Sequence, residues 1–260
     1  MIAKILVLAG RRSATLDPLA EAAGVTHKCL VPVQGEAMVG RVLRTAAEAW
    51  PDAALFLSVD DFSAVAEEPT VARLGGEGRL TPIEAQFHIV DSVVAASRVT
   101  GFPLIITTAD NVLMTVDALH ALAEAGAEGK ADAIVVMAEK QDILAAHPDG
   151  QRRFYEMKGG GYSNCNLFWL GSETALKATE SFREGGQFAK HPSRIVKAFG
   201  ILNLIRFRFG LTTLEGMFRH ISRRFGVRVR PMVVTDGRLA IDVDNERTHR
   251  VAEEILARQG

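Results

Sequence analysis

The chain has 260 residues, 48% of them hydrophobic and 23% charged, with 23 glycines and 9 prolines. This is a globular composition, and it excludes a disordered chain, a collagen-like repeat and a disulfide-stapled miniprotein. Thirty Lys and Arg against 31 Asp and Glu leave a net charge of −1, so no overall positive field marks a nucleic-acid binder and any anion site is local. The two cysteines, Cys29 and Cys165, are too few for a disulfide framework or a structural zinc site, and they suit a reducing compartment. The chain's opening apolar run is too short for a signal peptide, and no stretch reaches the ~18 apolar residues of a membrane span. A soluble, cytoplasmic protein is expected, with residues 1–260 forming one domain.

Residues 2–8 are a β-branched and aliphatic run ending at Ala9-Gly10, which reads as a buried strand stopping at a turn. A polar loop over 11–28 follows, then a short extended segment at 30–33, a Gln34-Gly35 turn and a helix carrying Met38, Val42, Leu43 and Ala46 at helical spacing. Strands are expected at 53–59, 102–107 and 133–137, with helices at 89–99 and 116–125 between them. Residues 62–87 lack a clear period, and Gly75-Gly76-Glu77-Gly78 marks a loop there. Beyond Asp149-Gly150 two strands, 152–157 and 164–170, are joined across Lys158-Gly159-Gly160-Gly161, which reads as loop. Helices at 173–183, 193–207 and 213–225, strands at 227–234 and 239–243, and a last helix at 246–257 complete the chain. Alternating strands and helices predict an α/β fold, a mainly parallel central sheet with helices on both faces in the Rossmann-like manner. Ligands of such sheets gather at the carboxyl ends of the strands.

Three segments stand at such ends. Leu8-Ala9-Gly10-Arg11-Arg12-Ser13 follows the first strand, and Lys28 precedes Pro32-Val33-Gln34-Gly35-Glu36-Ala37-Met38. Pro103 to Asp110 forms the second segment, and Ile241-Asp242-Val243-Asp244-Asn245-Glu246 the third. In this order they resemble the nucleotidyltransferases of the MobA-like NTP-transferase family, which have a GT-A-type fold, and the resemblance runs through nearly the whole chain. It implies a nucleotide-binding part over 1–140 and an acceptor-binding part over 141–260. It also implies nucleotide contacts from Leu8, Ala9, Gly10, Ser13, Ser92 and Asp110, and Mg²⁺ ligands in Asp110 with Asp244 or Asp242. Lys28, Arg11, Arg12 and Lys158 are the implied catalytic cations, and Glu156 and Asn166 the implied acceptor contacts.

The residue types suit the chemistry that the resemblance names. An acceptor phosphate must attack the α-phosphorus of an NTP while pyrophosphate departs, so accumulated negative charge is the obstacle. Loop N–H groups, Arg and Lys on non-bridging oxygens, and Mg²⁺ held by carboxylates all lower it. Each residue also has a plainer role open to it. Gly10 serves equally as a turn residue, Arg11 and Arg12 as solvated charges, Lys28 as a surface lysine, and Asp110, Asp242 or Asp244 as a helix cap. The loop departs from the family in keeping only Gly10 ahead of its arginines, so the arginines either replace lost amide contacts or triphosphate binding is degraded. Cys165, with no His and acid pattern around it, reads as packing.

The expected partners are an NTP, with CTP favoured, and a sugar, polyol or alcohol phosphate, and no nucleic acid. Guanylyl or cytidylyl transfer to the molybdenum cofactor, a GT-A glycosyltransferase and a non-catalytic nucleotide-binding module are the alternatives. Against the glycosyltransferase stands Asp110-Asn111-Val112 where Asp-x-Asp is the rule. Residues 195–230 interleave apolar side chains with Lys197, Arg206, Arg208, Arg219, Arg223 and Arg224. That segment either packs into the core or a dimer partner, or lies peripherally on an anionic membrane.

Overall fold

A computed structural model describes residues 3–11, 15–179 and 212–258. Strand β1 (Lys4–Leu8) leads through helix α1 (Pro18–Ala22) to a small hairpin, β2 (Pro32–Val33) and β3 (Glu36–Ala37). Helix α2 (Met38–Ala49), strand β4 (Ala54–Val59), helix α3 (Pro69–Gly76) and strand β5 (Leu80–Glu84) follow. The chain continues as α4 (Ile89–Thr100), β6 (Leu104–Thr108), α5 (Val116–Ala127), β7 (Ala133–Glu139) and α6 (Lys140–Ala146). Hairpin β8 (Tyr155–Met157) and β9 (Gly160–Leu170) comes next, then α7 (Leu176–Thr179), α8 (Leu214–Phe225), β10 (Val229–Val234) and α9 (Glu246–Ala257).

The main sheet has the order β10-β7-β9-β6-β1-β4-β5, with β8 paired to β9. Strands β6, β1, β4 and β5 run parallel, as do β7 and β10, whereas β9 is antiparallel to both of its neighbours β6 and β7. The four-strand parallel block therefore brings the carboxyl ends of β6, β1, β4 and β5 to one rim. Both edges carry a proline, Pro82 in β5 and Pro231 in β10. Proline lacks the N–H that a second neighbour would need, so it is compatible with an edge and discourages further pairing there.

Successive residues of β1 enter different cores, Ile5 and Val7 on one face and Leu6 on the other, because side chains alternate across a sheet. On the first face lie α2, α3, α5 and α9, through Met38, Leu43, Leu74, Leu122 and Val251. The second is covered by α4 and α8, through Val93, Ala96, Phe218 and Ile221. This two-faced mixed sheet matches the expected fold class.

Several elements differ from the sequence-based expectation. Residues 62–87 form α3 and β5 as well as loop, with the Glu68 side chain accepting from Val71 N at 2.9 Å to start α3; Gly75 and Gly76 lie inside that helix. Pro82 conceals β5 in the sequence because a proline within a run argues against a strand unless the strand is an edge. Segment 158–161 is loop only at Lys158-Gly159, since β9 starts at Gly160. Residues 239–243 are not a strand. A 3-10 turn, Gly237–Ala240, precedes an irregular stretch in which Ile241 and Val243 are buried without a ladder. A Cβ at Gly237 would stand 2.2 Å from the Asp142 backbone, so this turn is pressed against α6. Of the expected helix at 173–183, a 3-10 turn and α7 are present as far as Thr179. The expected helix at 193–207 lies outside the described residues, as do residues 195–211 of the basic apolar segment. In its described remainder, α8 buries Leu214, Phe218 and Ile221 and exposes Arg219, Arg223 and Arg224, so the apolar side packs into the core. No described helix is long and apolar enough to cross a membrane.

The indole of Trp169 fits between two glycines. A Cβ on Gly126 in α5 would come within 2.4 Å of the ring, and one on Gly171 within 2.2 Å. Gly126→Ala is expected to destabilise the fold by about 1–3 kcal/mol through overpacking. Chemical denaturation checks this, and Gly75→Ala serves as the control, because Gly75 lies inside a helix with an ordinary backbone and nothing within 4 Å.

Candidate functional site

A cleft of about 470 Å³ opens at the rim where β1, β4, β5 and β6 end. Leu8, Ala9, Gly10 and Arg11 line it after β1, Ala85 and Gln86 after β5, and Thr108, Ala109 and Asp110 after β6. Backbone bonds extend the strands into it, Ala9 N to Ser58 O at 2.8 Å, Ala85 N to Val59 O at 3.0 Å and Ala109 N to Leu8 O at 2.9 Å. The cleft walls are thus continuations of the sheet.

At one end Lys28 joins two carboxylates. Its Nζ donates to Asp110 Oδ2 at 2.8 Å and to Asp244 Oδ1 at 2.9 Å. Burial by itself would lower the ammonium pKa, but Asp110 and Asp244 outweigh it and hold Lys28 above its ordinary value. Lys28 comes from a 3-10 turn, Lys28–Leu30, and Asp110 from the end of β6. Asp244 is brought in by the chain before α9, where Val243 N donates to Asp110 O at 3.0 Å.

Neither Asp242 nor Asp244 caps the last helix. Asn245 caps α9, accepting from Thr248 N, and Thr248 Oγ1 accepts in return from Asn245 N. Asp242 and Asp244 alternate with the buried Ile241 and Val243, but the Asp242 carboxyl is itself enclosed, with Oδ1 buried, whereas Asp244 is exposed. Burial, together with the nearby Asp110 and Asp244, pushes the Asp242 carboxyl well above the usual range, against a smaller opposing effect of the adjacent Asn166. Asp244 is exposed and stands beside the Lys28 ammonium. Of the two, Asp244 is better placed as a ligand.

The remaining expected residues fall into two groups. Ser92 lines the cleft within α4, and its Oγ accepts from Gln86 N at 2.8 Å and donates to Gln86 O at 3.3 Å, so it braces the loop after β5 instead of capping the helix. Gly10 faces that same loop, and a Cβ there would lie 2.5 Å from Ala85 Cβ. Close approach, and not an unusual backbone angle, explains this glycine. Glu156 and Lys158 sit on the β8–β9 hairpin outside the cleft lining. Glu156 pairs with Lys140 at 2.9 Å, and Lys158 N donates to Thr212 O at 3.0 Å. Asn166 reaches the site through Asp242, while Arg12 and Ser13 lie outside the described residues.

The sequence reading missed Asp60, at the end of β4. Its carboxylate accepts Arg11 N at 3.0 Å and Arg11 Nε at 2.6 Å, which ties the loop after β1 to the neighbouring strand. Burial alone would raise the Asp60 carboxyl, yet the Arg11 bonds leave it below its ordinary value. The buried His27 places Nε2 3.6 Å from the same carboxylate. The available signal was positional, an acid ending a strand next to β1. Cys29 is pushed up to about 12 by burial and Asp60, and burial raises Cys165; neither is a poised nucleophile.

Among the described residues no group of three or more His, Cys, Asp or Glu side chains could hold a metal unaided. Mg²⁺ commonly takes one or two carboxylates and completes its shell with water and substrate phosphate. Asp110 and Asp244 offer such a pair of oxygen donors, already closed around one cation, the Lys28 ammonium. The residues present therefore fit a Mg²⁺ ion shared with a bound phosphate.

The mixed sheet and the cleft at its parallel rim define a nucleotidyltransferase fold of the GT-A type. A family model for the MobA-like NTP transferase domain matches residues 5–191, and the chain belongs to that family. Similar solved structures include a hypothetical transferase from Thermus thermophilus, at 22% identity and a TM-score of 0.76, covering 96% of this chain and 100% of that one. A CMP:2-keto-3-deoxy-manno-octonic acid synthetase complexed with CTP aligns at 12% identity and TM-score 0.62 over 100% of both chains. A 4-diphosphocytidyl-2C-methyl-D-erythritol synthase from Anaerococcus prevotii aligns at 8% identity and TM-score 0.59, over 98% of this chain and 96% of that one. At these identities the likeness is one of fold. No curated protein matches the sequence.

Two outcomes check the site's construction. Gly10→Ala is expected to push the loops after β1 and β5 apart, weakening nucleotide binding at least about tenfold while overpacking costs about 1–3 kcal/mol; titration calorimetry and denaturation measure the two effects. Asp60→Asn is expected to cost about 1 kcal/mol near neutral pH, the lower end for bonds to a charged acceptor because the pair is partly exposed. A depressed carboxyl stabilises the fold above the ordinary carboxylate range and loses that contribution as pH falls through its folded value. Wild type and variant should therefore converge in stability on acidification, and a difference that persists in acid would contradict the assignment.

Proposed function

We propose that the protein is a Mg²⁺-dependent nucleotidyltransferase that joins a nucleoside triphosphate to a phosphorylated sugar, polyol or other alcohol. The observation that carries this reading is the Lys28 ammonium held between Asp110 and Asp244 at the mouth of the cleft. In the reaction an acceptor phosphate oxygen forms a bond to the α-phosphorus, and the bond from that phosphorus to the bridging oxygen of pyrophosphate breaks. Asp110 and Asp244 would hold Mg²⁺, which when bound would supply positive charge to the phosphates. The loop after β1 receives the triphosphate on its backbone, with Arg11 at its edge and Arg12 and Ser13 following in sequence. Lys28 adds a fixed positive charge beside the carboxylates, which offsets charge on the non-bridging oxygens. Ala85 and Gln86, braced by Ser92, line the cleft beside the loop after β1 and are suited to contact the base. The acceptor enters from the side of Asn166, with the β8–β9 hairpin, Glu156 and Lys158 beyond it.

CTP is the favoured nucleotide. Two of the similar folds carry cytidine chemistry in their names, one a CMP-forming synthetase complexed with CTP and the other a diphosphocytidyl synthase. Incubation with CTP, GTP, UTP or ATP, a panel of phosphorylated alcohols and sugars, and Mg²⁺ should release pyrophosphate with one nucleotide in preference to the rest. Asp110→Asn is expected to lower kcat by about 10²–10³-fold with the fold intact by circular dichroism. Release of nucleoside diphosphate instead of pyrophosphate would assign a glycosyltransferase, and nucleotide binding without release of either would assign a binding module.

A further inference from the structure

Beside the cleft lies a second, open chamber of about 130 Å³. Its walls are apolar, with Val93 from α4, Ile106 and Val135 from the sheet, and Phe218 and Ile221 from α8. Leu8, Ile89 and Thr108 line both spaces, so the chamber shares a wall with the nucleotide cleft at the ends of β1 and β6. At its polar end stand Asn164 and Asn166. Asn164 Nδ2 donates to Asn166 Oδ1 at 3.1 Å, Asn166 N donates to Asn164 Oδ1 at 3.1 Å, and the Asn166 side chain lies beside Asp242. Asn166 holds a left-handed backbone, with φ of 46°, where the register of β9 against β7 shifts between Val135 and Met137, a conformation that Asn tolerates at a bulge.

The chamber thus has an end tied to the acidic cluster and a deep apolar end. A sugar or polyol has nothing to gain in the apolar end, because its hydroxyls would lose water without finding partners. An aliphatic group fits it. A protein cavity of about 150 Å³ accepts a molecule the size of benzene, so this one suits about four to six carbons. The geometry points to a site for the apolar group of a phosphate monoester, its phosphate at the Asn166 end and its hydrocarbon among Val93, Ile106 and Phe218. On the transferase reading, on which this rests for its biological sense, that ester is the acceptor, an apolar alcohol phosphate.

Methyl, butyl and hexyl phosphate titrated calorimetrically into the full chain with Mg²⁺ test the site without turnover. Each buried methylene should tighten binding about fourfold, so butyl phosphate should bind at least tenfold more tightly than methyl phosphate. Ala178→Leu, which grows a side chain from α7 into the chamber, should remove that advantage and leave methyl phosphate binding unchanged. Ile221→Ala should extend the preference to longer chains, which keeps the test open should Ala178→Leu not fold. Equal affinity for methyl and butyl phosphate, as when another part of the chain fills the chamber, overturns the proposal. A butyl preference that survives Ala178→Leu also overturns it, since the hydrocarbon then binds elsewhere. An intact, chamber-dependent preference without pyrophosphate release from any nucleotide supports the chamber and defeats the transferase reading instead.

Discussion

Two carboxylates that would repel each other are held within reach of one ammonium, and this triad fixes where the rest of the chain can go. Lys28, Asp110 and Asp244 come from a turn, a strand end and the approach to the last helix. Opposite charges about 3 Å apart attract strongly when partly withdrawn from water, whereas either carboxylate without the lysine would face its twin. The triad is useful because it is not closed off. Asp244 remains exposed, so the carboxylate pair is open to solvent on that side.

The cleft around the triad is a consequence of strand order. Four parallel strands release their carboxyl ends on one side, and each end contributes a loop. Loops alone would be loosely placed, but here they brace one another. Asp60 holds Arg11, Ser92 holds Gln86, and Gly10 lets the β1 loop meet Ala85 directly. A preorganised cleft of this kind spends little free energy ordering itself around a ligand. The antiparallel β9, inserted between β6 and β7, carries Asn164 and Asn166 past the end of β6 and so joins the second half of the molecule to the same rim.

The elements legible in the sequence were those with strong local patterns. Strands β1, β4, β6 and β7 are apolar runs buried on both faces, and α2, α5 and α9 have apolar residues at helical spacing. Elements missed were those whose local signals conflict, as where Pro82 sits in an edge strand and Gly75-Gly76 in a helix. Residues 239–243 show the opposite failure. Their alternating burial imitates a strand, yet the main-chain bonds of a strand are absent.

For the site, the sequence by itself determined the chemical types, because a glycine loop after the first strand, Lys28, Asp110 and the Asp242–Asp244 pair lie in a recognisable order. It left open whether Asp110 and Asp244 were helix caps, and the fold gives those caps to Thr115 and Asn245 and sets both acids against the Lys28 ammonium. For Asp60 the sequence offered only a position, an acid at the end of a strand, and for the apolar chamber beside the cleft it offered nothing. Both depend on contacts between residues far apart in the chain, Asp60 with Arg11 and Ile106 with Val135 and Phe218. Local periodicity records the environment of one element at a time, whereas charge pairing and cavity shape arise from the distances between elements, which tertiary packing alone sets.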